Sequence, residues 1–494
     1  MRCRRPGAAR SCAACCATSR PARRRWAGRK EALRPREAGH VRVYWCGVTV
    51  YSRTHVGHAR AFVSADVLVR YLLARGLRVT FVRNFTDIDD KMIRRAADEG
   101  ITVAALAERE IAAFHADVRR VGCLPPTHEP RATEHIVLML DLSRTLVAQG
   151  VAYPTPDGSV YFRVRRFAGY GKLSHRRLED MEVGEEIDPA KEDPHDFALW
   201  KGAKPGEPTW ESPWGPGRPG WHLECSAMSA HYLGQPFDVH GGGSDLVFPH
   251  HENEIAQSEA VASVPLADLW VHNGMITFGS DKMSKSLGNV LSIADATDRV
   301  PGEALRLLFY GTHYRAPLDF GPGRLEEAAR SLERLYEALA RADDLAGRSL
   351  APIPPAGALT GPLSPFLEEF AATMDDDLNA AKALGLVFDR LRELNRTCDA
   401  ADRSAALAAR DDLTRAGAVL GLFAEAPAAF LDAARSRGQR RAGLTTAEIE
   451  AAIAARNDAR HRKDFRAADT IRERLREQGI LLEDAPTGTV WRAG

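Results

Sequence analysis

In the stretch from Val41 to Phe85, VRVYWCGVTVYSRTHVGHARAFVSADVLVRYLLARGLRVTFVRNF, the hydrophobic period changes twice. Residues 41–46 are rich in β-branched and aromatic side chains, which indicates a strand, and residues 47–54 form a turn. From His58 onward the apolar residues fall on one face of a helix that Gly76 ends, and residues 77–85 again indicate a strand. Strand, helix and strand in this order form a βαβ unit. The stretch therefore predicts an α/β fold with a parallel sheet and helices on its faces.

Size and composition are those of an ordinary globular protein. The chain has 494 residues, 45% of them hydrophobic and 27% charged, enough for two to four domains. Lys and Arg number 67 and Asp and Glu 66, a net charge of +1, so any nucleic-acid contact must come from local basic patches. The longest apolar run, Ala61 to Leu73, is interrupted by Asp66 and Arg70. It is too short to span a membrane, so a soluble protein without membrane contact is expected.

The cysteines and the first thirty residues bear on location. Four of the eight cysteines crowd the first sixteen residues and the others are scattered, which favours a reducing, cytoplasmic compartment. Residues 1–30 contain ten Lys or Arg and no acidic residue. An Arg-rich organellar transit peptide is one interpretation. A disordered tail or a start assigned too far upstream is favoured, because Ala/Arg bias pervades the whole chain.

Beyond the βαβ unit, the pattern suggests a nucleotide-binding fold that is interrupted and then resumed. The predicted parts are a helical stretch at 101–149, a Gly- and Pro-rich insertion at 153–219, a strand at 237–240, a helix from His250 to Glu259, a strand near 271–278, a proline-rich linker at 352–365, a helical bundle at 366–422, a break at 435–443 and a small basic module.

Four residues form a candidate metal site. Cys46 ends the first predicted strand, where open α/β sheets bind ligands, and Cys225 opens the second half of the fold. His250 and Glu254 are four apart on a predicted helix and so share one face, whereas His251 points elsewhere. Zinc accepts all these ligand types, and with a further position open it would bind a thiolate and keep it deprotonated. The alternative is two buried cysteines and a surface helix.

Two short motifs could handle phosphates. The first, His55-Val56-Gly57-His58, falls at a strand-to-helix turn, where helix N–H groups favour anions and Gly57 lets a nucleotide approach the backbone. An ordinary helix start with two incidental histidines is the alternative. The second, residues 282–286 (KMSKS), offers two lysines and two hydroxyls that can close on phosphates. A solvated basic loop is its alternative. Together with the candidate metal site, the two motifs indicate activation of a thiol-bearing amino acid by ATP.

Six segments match a known family. They are CGVTVY at 46–51, HVGH at 55–58, RNFTDIDDK at 83–91, PGWHLECSAM at 219–228, residues 241–259 with FPHHENE at 248–254, and KMSKS at 282–286. In these motifs the chain resembles the cysteinyl-tRNA synthetases, which are class I aminoacyl-tRNA ligases, from about Lys30 to the C-terminus. One departure is that residues 1–29 lack the short opening strand and Asn-Thr-Leu-like segment usual in the family.

The resemblance implies a role for each matched residue. One Zn²⁺ per chain would be held by Cys46, Cys225, His250 and Glu254, with Thr86 and Trp221 lining the amino-acid pocket. ATP, with Mg²⁺, would be engaged by His55, His58, Gly243, Asp245 and Lys285, and the catalytic residues would be His55, His58, Lys282 and Lys285.

The resemblance also divides the chain into expected parts. They are a basic extension (1–30), the first half of a class I Rossmann-like catalytic domain (31–136), a connective insertion (137–217), the second half with the KMSKS loop (218–290), a stem-contact region (291–350), a tRNA-binding helical bundle (351–434) and an anticodon-binding module (435–494).

The implied reaction is the joining of L-cysteine to tRNA(Cys) through cysteinyl-adenylate, by a monomer. Metal–thiolate bonding would reject serine, so no editing domain is expected, whereas an apolar pocket separates such near-isosteres by only about 10²-fold.

The close rival is a cysteine ligase acting on a small amino-sugar acceptor, which would lack the C-terminal module. Residues 435–494 carry thirteen Lys and Arg against nine Asp and Glu, and Trp491 is available for stacking, which favours RNA.

Two further rivals are less compatible with the residues. A non-catalytic RNA-binding protein on this fold would be expected to lose His58, Lys285 or a zinc ligand. A zinc hydrolase would need a positioned general base such as His-Glu-x-x-His provides.

Overall fold

A computed structural model describes residues 30–180, 189–278, 281–282, 291–321, 323–349, 351–485 and 488–493. The predicted N-terminal extension and the KMSKS residues 283–286, with Lys285, lie outside the described residues. So does the side chain of Lys282, of which only the backbone is described.

The first half of the α/β domain confirms the predicted βαβ unit. Its elements are β1 (His40–Thr49), α1 (Val56–Ala74), β2 (Arg78–Thr86), α2 (Asp90–Glu99), α3 (Val103–Arg120) and α4 (Ile136–Ala148). Strand β1 runs three residues beyond the predicted end, through an irregularity at residues 45–48. A Cβ on Gly47 would lie 1.7 Å from the carbonyl oxygen of Asn84, so only glycine lets β1 pass β2 here.

An antiparallel sheet forms the insertion. Its strands are β3 (Ala152–Pro154), β4 (Val160–Phe162), β5 (Phe197–Gly202) and β6 (Gly217–Pro219), paired in that order.

The second half resumes directly after β6. Its elements are α5 (Trp221–Leu233), β7 (Phe237–Gly243), α6 (Glu252–Ala262), β8 (Ala267–Asn273), β9 (Ile276–Phe278), β10 (Asp281–Lys282), α7 (Ile293–Arg299), α8 (Gly302–Tyr310) and β11 (Leu318–Asp319). The single strand predicted near 271–278 is wrong. The chain leaves the sheet at Gly274, whose N–H donates to the carbonyl of Tyr314 at 2.7 Å, and β9 pairs instead with β10 and β11.

The main sheet is parallel in the order β2-β1-β7-β8. The first half of the fold extends it on one side of β1 and the second half on the other. The order therefore reverses between β1 and β7, and in open sheets of this kind ligands bind at that point, outside the carboxyl ends of the strands.

Helices make up most of the rest of the chain. They are α9 (Arg324–Ala346), α10 (Pro365–Asp375), α11 (Ala380–Asp399), α12 (Arg403–Leu420), α13 (Pro427–Ala442), α14 (Thr446–His461) and α15 (Phe465–Glu477), followed by the hairpin β12 (Ile480–Ala485) and β13 (Gly488–Ala493). The break predicted at 435–443 is wrong, because α13 continues to Ala442 and ends at Gly443, where φ is 65°. Phe430 stacks on Tyr336 of α9 at 3.7 Å between ring centroids and holds α13 on the bundle.

No helix in the described ranges is both long and apolar enough for a membrane crossing.

A buried ion cluster joins the α/β domain to the bundle. Arg306 of α8 is fully buried and donates to the carboxylate of Asp66 in α1 and to the carbonyl of Leu420, at 2.8 Å, where α12 ends. Arg70 also donates to Asp66, at 2.6 Å. A Cβ on Gly421 would lie 2.3 Å from the Arg306 guanidinium, so glycine serves both the positive φ of 66° and this close approach.

Replacing Asp66 by Asn should destabilise the protein, because Arg306 would keep a buried charge without its carboxylate. We expect the free energy of unfolding to fall by about 3 kcal/mol, measured by denaturant unfolding. The matched control is Asp298→Asn, which breaks an Arg–Asp pair whose Asp298 side chain is 68% exposed and should cost less than about 1 kcal/mol. Equal losses in the two variants would contradict this interpretation of the cluster.

Candidate metal centre and nucleotide site

The predicted site residues gather at the carboxyl edge of the main sheet. Cys46 lies three residues before the end of β1, Thr86 is the last residue of β2 and Gly243 is the last residue of β7. Because the three strands are parallel, their carboxyl ends meet at one edge. Residues almost two hundred positions apart are thereby brought to a common cleft.

The four predicted metal ligands come together in this cleft. One ligand atom from each of Cys46, Cys225, His250 and Glu254 lies within 4.8 Å of the others, and all four side chains are buried. The two sulfurs are 3.7 Å apart, and the Cys46 sulfur is 3.4 Å from Glu254 Oε1. His250 Nε2 lies 3.1 Å from the same oxygen. Two sulfurs, an imidazole and a carboxylate suit zinc, so the residues present fit the metal.

The local structure around His250 differs from the prediction. Helix α6 begins at Glu252, and His250 lies in the irregular turn that leads into it, Val247–His251, which is broken by extended backbone at Phe248 (φ −141°, ψ 133°). His250 and Glu254 still converge, because the turn runs continuously into α6. Glu252 fixes this start: its carboxylate accepts from the backbone N–H groups of Gly171, at 2.9 Å, and Ser174, at 2.8 Å, in the insertion.

The pKa values of the four side chains in the cluster are shifted in different directions. Burial raises the pKa of the Cys46 thiol, while the hydrogen bond from Cys46 lowers the pKa of Cys225 to about 6. Burial opposes charge on His250 and Glu254, but their mutual attraction, joined for Glu254 by His240, raises the pKa of His250 to about 10 and lowers that of Glu254. A buried set rich in anionic donors is what a divalent cation stabilises.

His240 is a site residue that the sequence analysis missed. Its Nε2 lies 2.9 Å from Glu254 Oε2, and Cys46, His240, His251 and Glu254 form a second possible ligand set. His251 Nδ1 is 2.8 Å from His272 Nε2, while His251 Nε2 has no hydrogen-bond partner among the described residues. The only sequence signal was the position of His240 just before three glycines. The second set contains one sulfur where the first contains two, so a soft metal favours the first.

Thr86 and Trp221 contact residues of the cluster or their direct neighbours. Thr86 donates its hydroxyl proton to Glu224, at 2.6 Å, the residue that precedes Cys225. The Trp221 ring packs 4.3 Å from the His250 ring between centroids and remains 38% exposed. Glu224 is fully buried, and the sequence analysis did not single it out.

His55 and His58 cap α1. The Gly57 N–H donates to His55 Nδ1 at 3.1 Å, the His55 N–H donates to His58 Nδ1 at 3.2 Å, and the two rings stack 3.8 Å apart. The Gly57 N–H is thus engaged by His55 in this structure. A Cβ on Gly57 would lie 2.9 Å from the His55 ring, so glycine is needed to seat the cap.

Neighbouring side chains approach the three glycines at the end of β7 closely. A Cβ on Gly241 would lie 2.3 Å from the Trp45 ring, and one on Gly242 would lie 3.0 Å from His251. At Gly243 the Asp245 carboxylate would be 2.4 Å away, which places Gly243 and Asp245 together at the strand end. Strand β10 begins at Asp281, one residue before the KMSKS motif starts, and pairs with β9.

Sequence comparisons agree with this architecture. Residues 32–330 match the family of class I (C) tRNA synthetase catalytic domains, residues 369–424 the DALR domain and residues 443–492 the cysteinyl-tRNA ligase anticodon binding domain. The cysteine–tRNA ligase of Thioalkalivibrio sulfidiphilus is 51% identical over 468 residues, covering 94% of this chain and 98% of the relative. That of Geobacter sulfurreducens is 49% identical over 477 residues, with the same coverage of both chains.

Solved structures share the fold at low identity. Mycobacterium tuberculosis methionyl-tRNA synthetase, in complex with methionyl-adenylate, has a TM-score of 0.56 and 16% identity, covering 83% of this chain and 96% of its own. The leucyl enzyme of Agrobacterium radiobacter K84 has a TM-score of 0.56 and 12% identity, covering 79% and 84%. Both support the class I fold alone. The sequence matches settle the family: the chain belongs to the cysteine–tRNA ligases, which are class I aminoacyl-tRNA ligases.

Proposed function

We propose that this protein activates L-cysteine with ATP and Mg²⁺ and transfers the cysteinyl group to the 3′ end of tRNA(Cys), with zinc selecting the substrate thiolate. The observation that carries the proposal is the buried convergence of Cys46, Cys225, His250 and Glu254 at the sheet edge beside Thr86 and Trp221. A thiol-selective centre next to an open aromatic wall is suited to a small thiol-bearing amino acid.

Selection would depend on the donor set. A zinc ion held by these four residues would accept the cysteine thiolate and keep it deprotonated at neutral pH. Trp221, partly exposed over His250, would cover the bound side chain, while Thr86 would orient the amino acid from the end of β2. Glu224 would hold the Thr86 hydroxyl in place.

ATP would lie at the N-terminus of α1, beside the strand ends. The helix dipole favours phosphates there, and His55 and His58 would turn toward the nucleotide from their capping positions. Gly243 and Asp245 would meet the adenosine. Lys282, at the end of β10, and Lys285, which follows it, would approach the phosphates and stabilise charge as the carboxylate attacks.

The C-terminal module supports tRNA as the acceptor in preference to an amino sugar. Phe465, the first residue of α15, is 62% exposed and follows Arg462 and Lys463 in sequence. Trp491, singled out above, packs instead against the module's apolar core. An exposed aromatic ring is suited to stacking on an RNA base.

The reduced cysteines fit the proposed cytoplasmic location. Cys46, Cys123, Cys225 and Cys398 are all free thiols, including the closely spaced pair at the site. A monomer is proposed as well, and sedimentation of the full chain would test it.

The function is tested by incubating the protein with labelled cysteine, ATP, Mg²⁺ and total tRNA, and counting label in acid-precipitable RNA. Label in RNA is expected. Cysteine-dependent pyrophosphate release without label in RNA would instead favour the amino-sugar ligase.

In pyrophosphate exchange, we expect the protein to discriminate against serine by much more than the roughly 10²-fold that an apolar pocket would give. Exchange with serine close to that with cysteine would contradict selection by metal–thiolate bonding.

Zinc content distinguishes the two ligand sets. We expect about one zinc per chain in the purified protein and a large loss in Cys225→Ser, because only the first set uses Cys225. The matched variant His251→Ala should retain its zinc, since only the second set uses His251. Metal would be counted by atomic absorption. Zinc retained in Cys225→Ser and lost in His251→Ala would place the metal on the second set.

Phe465→Ala should weaken tRNA use without affecting cysteine activation. Because base–aromatic stacking is worth about 1–3 kcal/mol, we expect the KM for tRNA to rise about tenfold while cysteine-dependent pyrophosphate exchange stays unchanged. Val137→Ala is the control, since Val137 is a comparably exposed apolar residue, at 69%, on α4. A KM for tRNA that is the same in both variants would exclude Phe465 from RNA contact.

A further inference from the structure

The TDIDDK segment contains a carboxylate that the proposed reaction does not use. Asp90 is the first residue of α2 and comes four residues after Thr86. The residues between them are fixed: Asp87 accepts from the backbone N–H of Thr133, at 2.9 Å, and from its hydroxyl, and Asp89 caps α2 at the N–H of Lys91, at 2.7 Å. The position of Asp90 is therefore tied to that of the Thr86 wall of the pocket.

Asp90 reaches across to the insertion and contacts two cations. It accepts from Lys201 Nζ at 2.6 Å and from the Arg218 guanidinium. Lys201 and Arg218 are directly opposed in the β5–β6 ladder. Like charges in that position repel, and the Asp90 carboxylate, which contacts both cations, offsets that repulsion.

The contact is anchored in the interior. The Arg218 side chain is only 3% exposed, and its Nε donates to Glu207 at 2.8 Å. Burial opposes ionisation of Asp90, but the hydrogen bond and charge of Lys201 and the charge of Arg218 lower its pKa to about 2. The Asp90 carboxylate is therefore ionised throughout the physiological pH range.

The chain from Arg218 to the site has little freedom. The Gly220 N–H donates to the carbonyl of Leu199 at 2.8 Å, and a Cβ on Gly220 would lie 2.1 Å from the carbonyl oxygen of Ala198. Helix α5 starts at the next residue, Trp221, and carries Cys225 one turn later. A shift of Arg218 would therefore be transmitted to the Trp221 wall of the pocket.

We propose that Asp90 is a positioning residue for the cysteine pocket: by holding Arg218 and Lys201 it fixes the distance between the Thr86 wall and the Trp221 wall. This inference rests on the proposed function. Asp90 acts through the two walls and does not touch the substrate. Misplacement of reacting groups by about 1 Å costs up to about 10²-fold in rate, so a carboxylate remote from the chemistry can govern substrate use.

The test is cysteine-dependent pyrophosphate exchange by the full-length zinc-bound protein. Asp90→Asn should raise the KM for cysteine about tenfold, while the KM for ATP, the zinc content and the Tm stay close to those of the parent. Asp90→Glu, which restores the charge, should recover most of the loss. Arg218→Lys keeps its charge but cannot bridge Asp90 and Glu207 as a guanidinium does, so it should raise the same KM.

The matched control is Glu192→Gln. It removes a two-pronged Arg–carboxylate pair, with Arg163 at 2.7 Å, that lies within the insertion and joins neither pocket wall. It should leave the KM for cysteine unchanged. An unchanged KM in both Asp90→Asn and Arg218→Lys would overturn the proposal. So would a parallel rise in the KM for cysteine and ATP with loss of zinc or Tm, which indicates general damage. Absence of cysteine-dependent exchange in the parent protein would instead contradict the proposed function.

Discussion

Parallel pairing of β1 with β2 on one side and with β7 on the other is the constraint on which the site depends. Because parallel strands end at a common edge, this pairing delivers Cys46, Thr86 and Gly243 to one cleft from distant parts of the chain. Helices α5 and α6 then complete the cleft with Cys225 and Glu254. The insertion enters between the two halves of the fold, so any movement of its sheet reaches the start of α5.

Burying so many polar groups at one sheet edge is costly unless each finds a partner. Around the proposed metal centre most partners are other site residues: His240 and His250 contact Glu254, and Glu224 accepts from Thr86. Glu252 and Asp90 instead bind the insertion. Motif residues with no proposed chemical role therefore position the residues for which a chemical role is proposed. The short FPHHENE and TDIDDK segments mix both kinds.

Most of the α/β fold could be predicted from the sequence, because strands and helices of the βαβ unit carry strong local periodicity. The predictions that were wrong concern places where neighbours override local pattern. The chain leaves the sheet at Gly274 because the backbone of Tyr314 competes for its N–H, and α13 continues past Arg435 because it packs on α9. The irregular turn before α6, broken at Phe248, has no periodic signature, so the helix start was placed too early. The domain division and the roles of the site residues remain predictions.

The chemical types at the site and the family could be recognised from the amino-acid sequence, because the motifs of thiol, imidazole, carboxylate and glycine residues are local strings. It could not reveal His240 and Glu224, because their significance lies in contacts across the cleft. Nor could it show that Asp90 opposes a pair of cations more than a hundred residues away. These contacts became visible in the folded chain, since strand order and register set which side chains meet, and a linear sequence does not encode such distances locally.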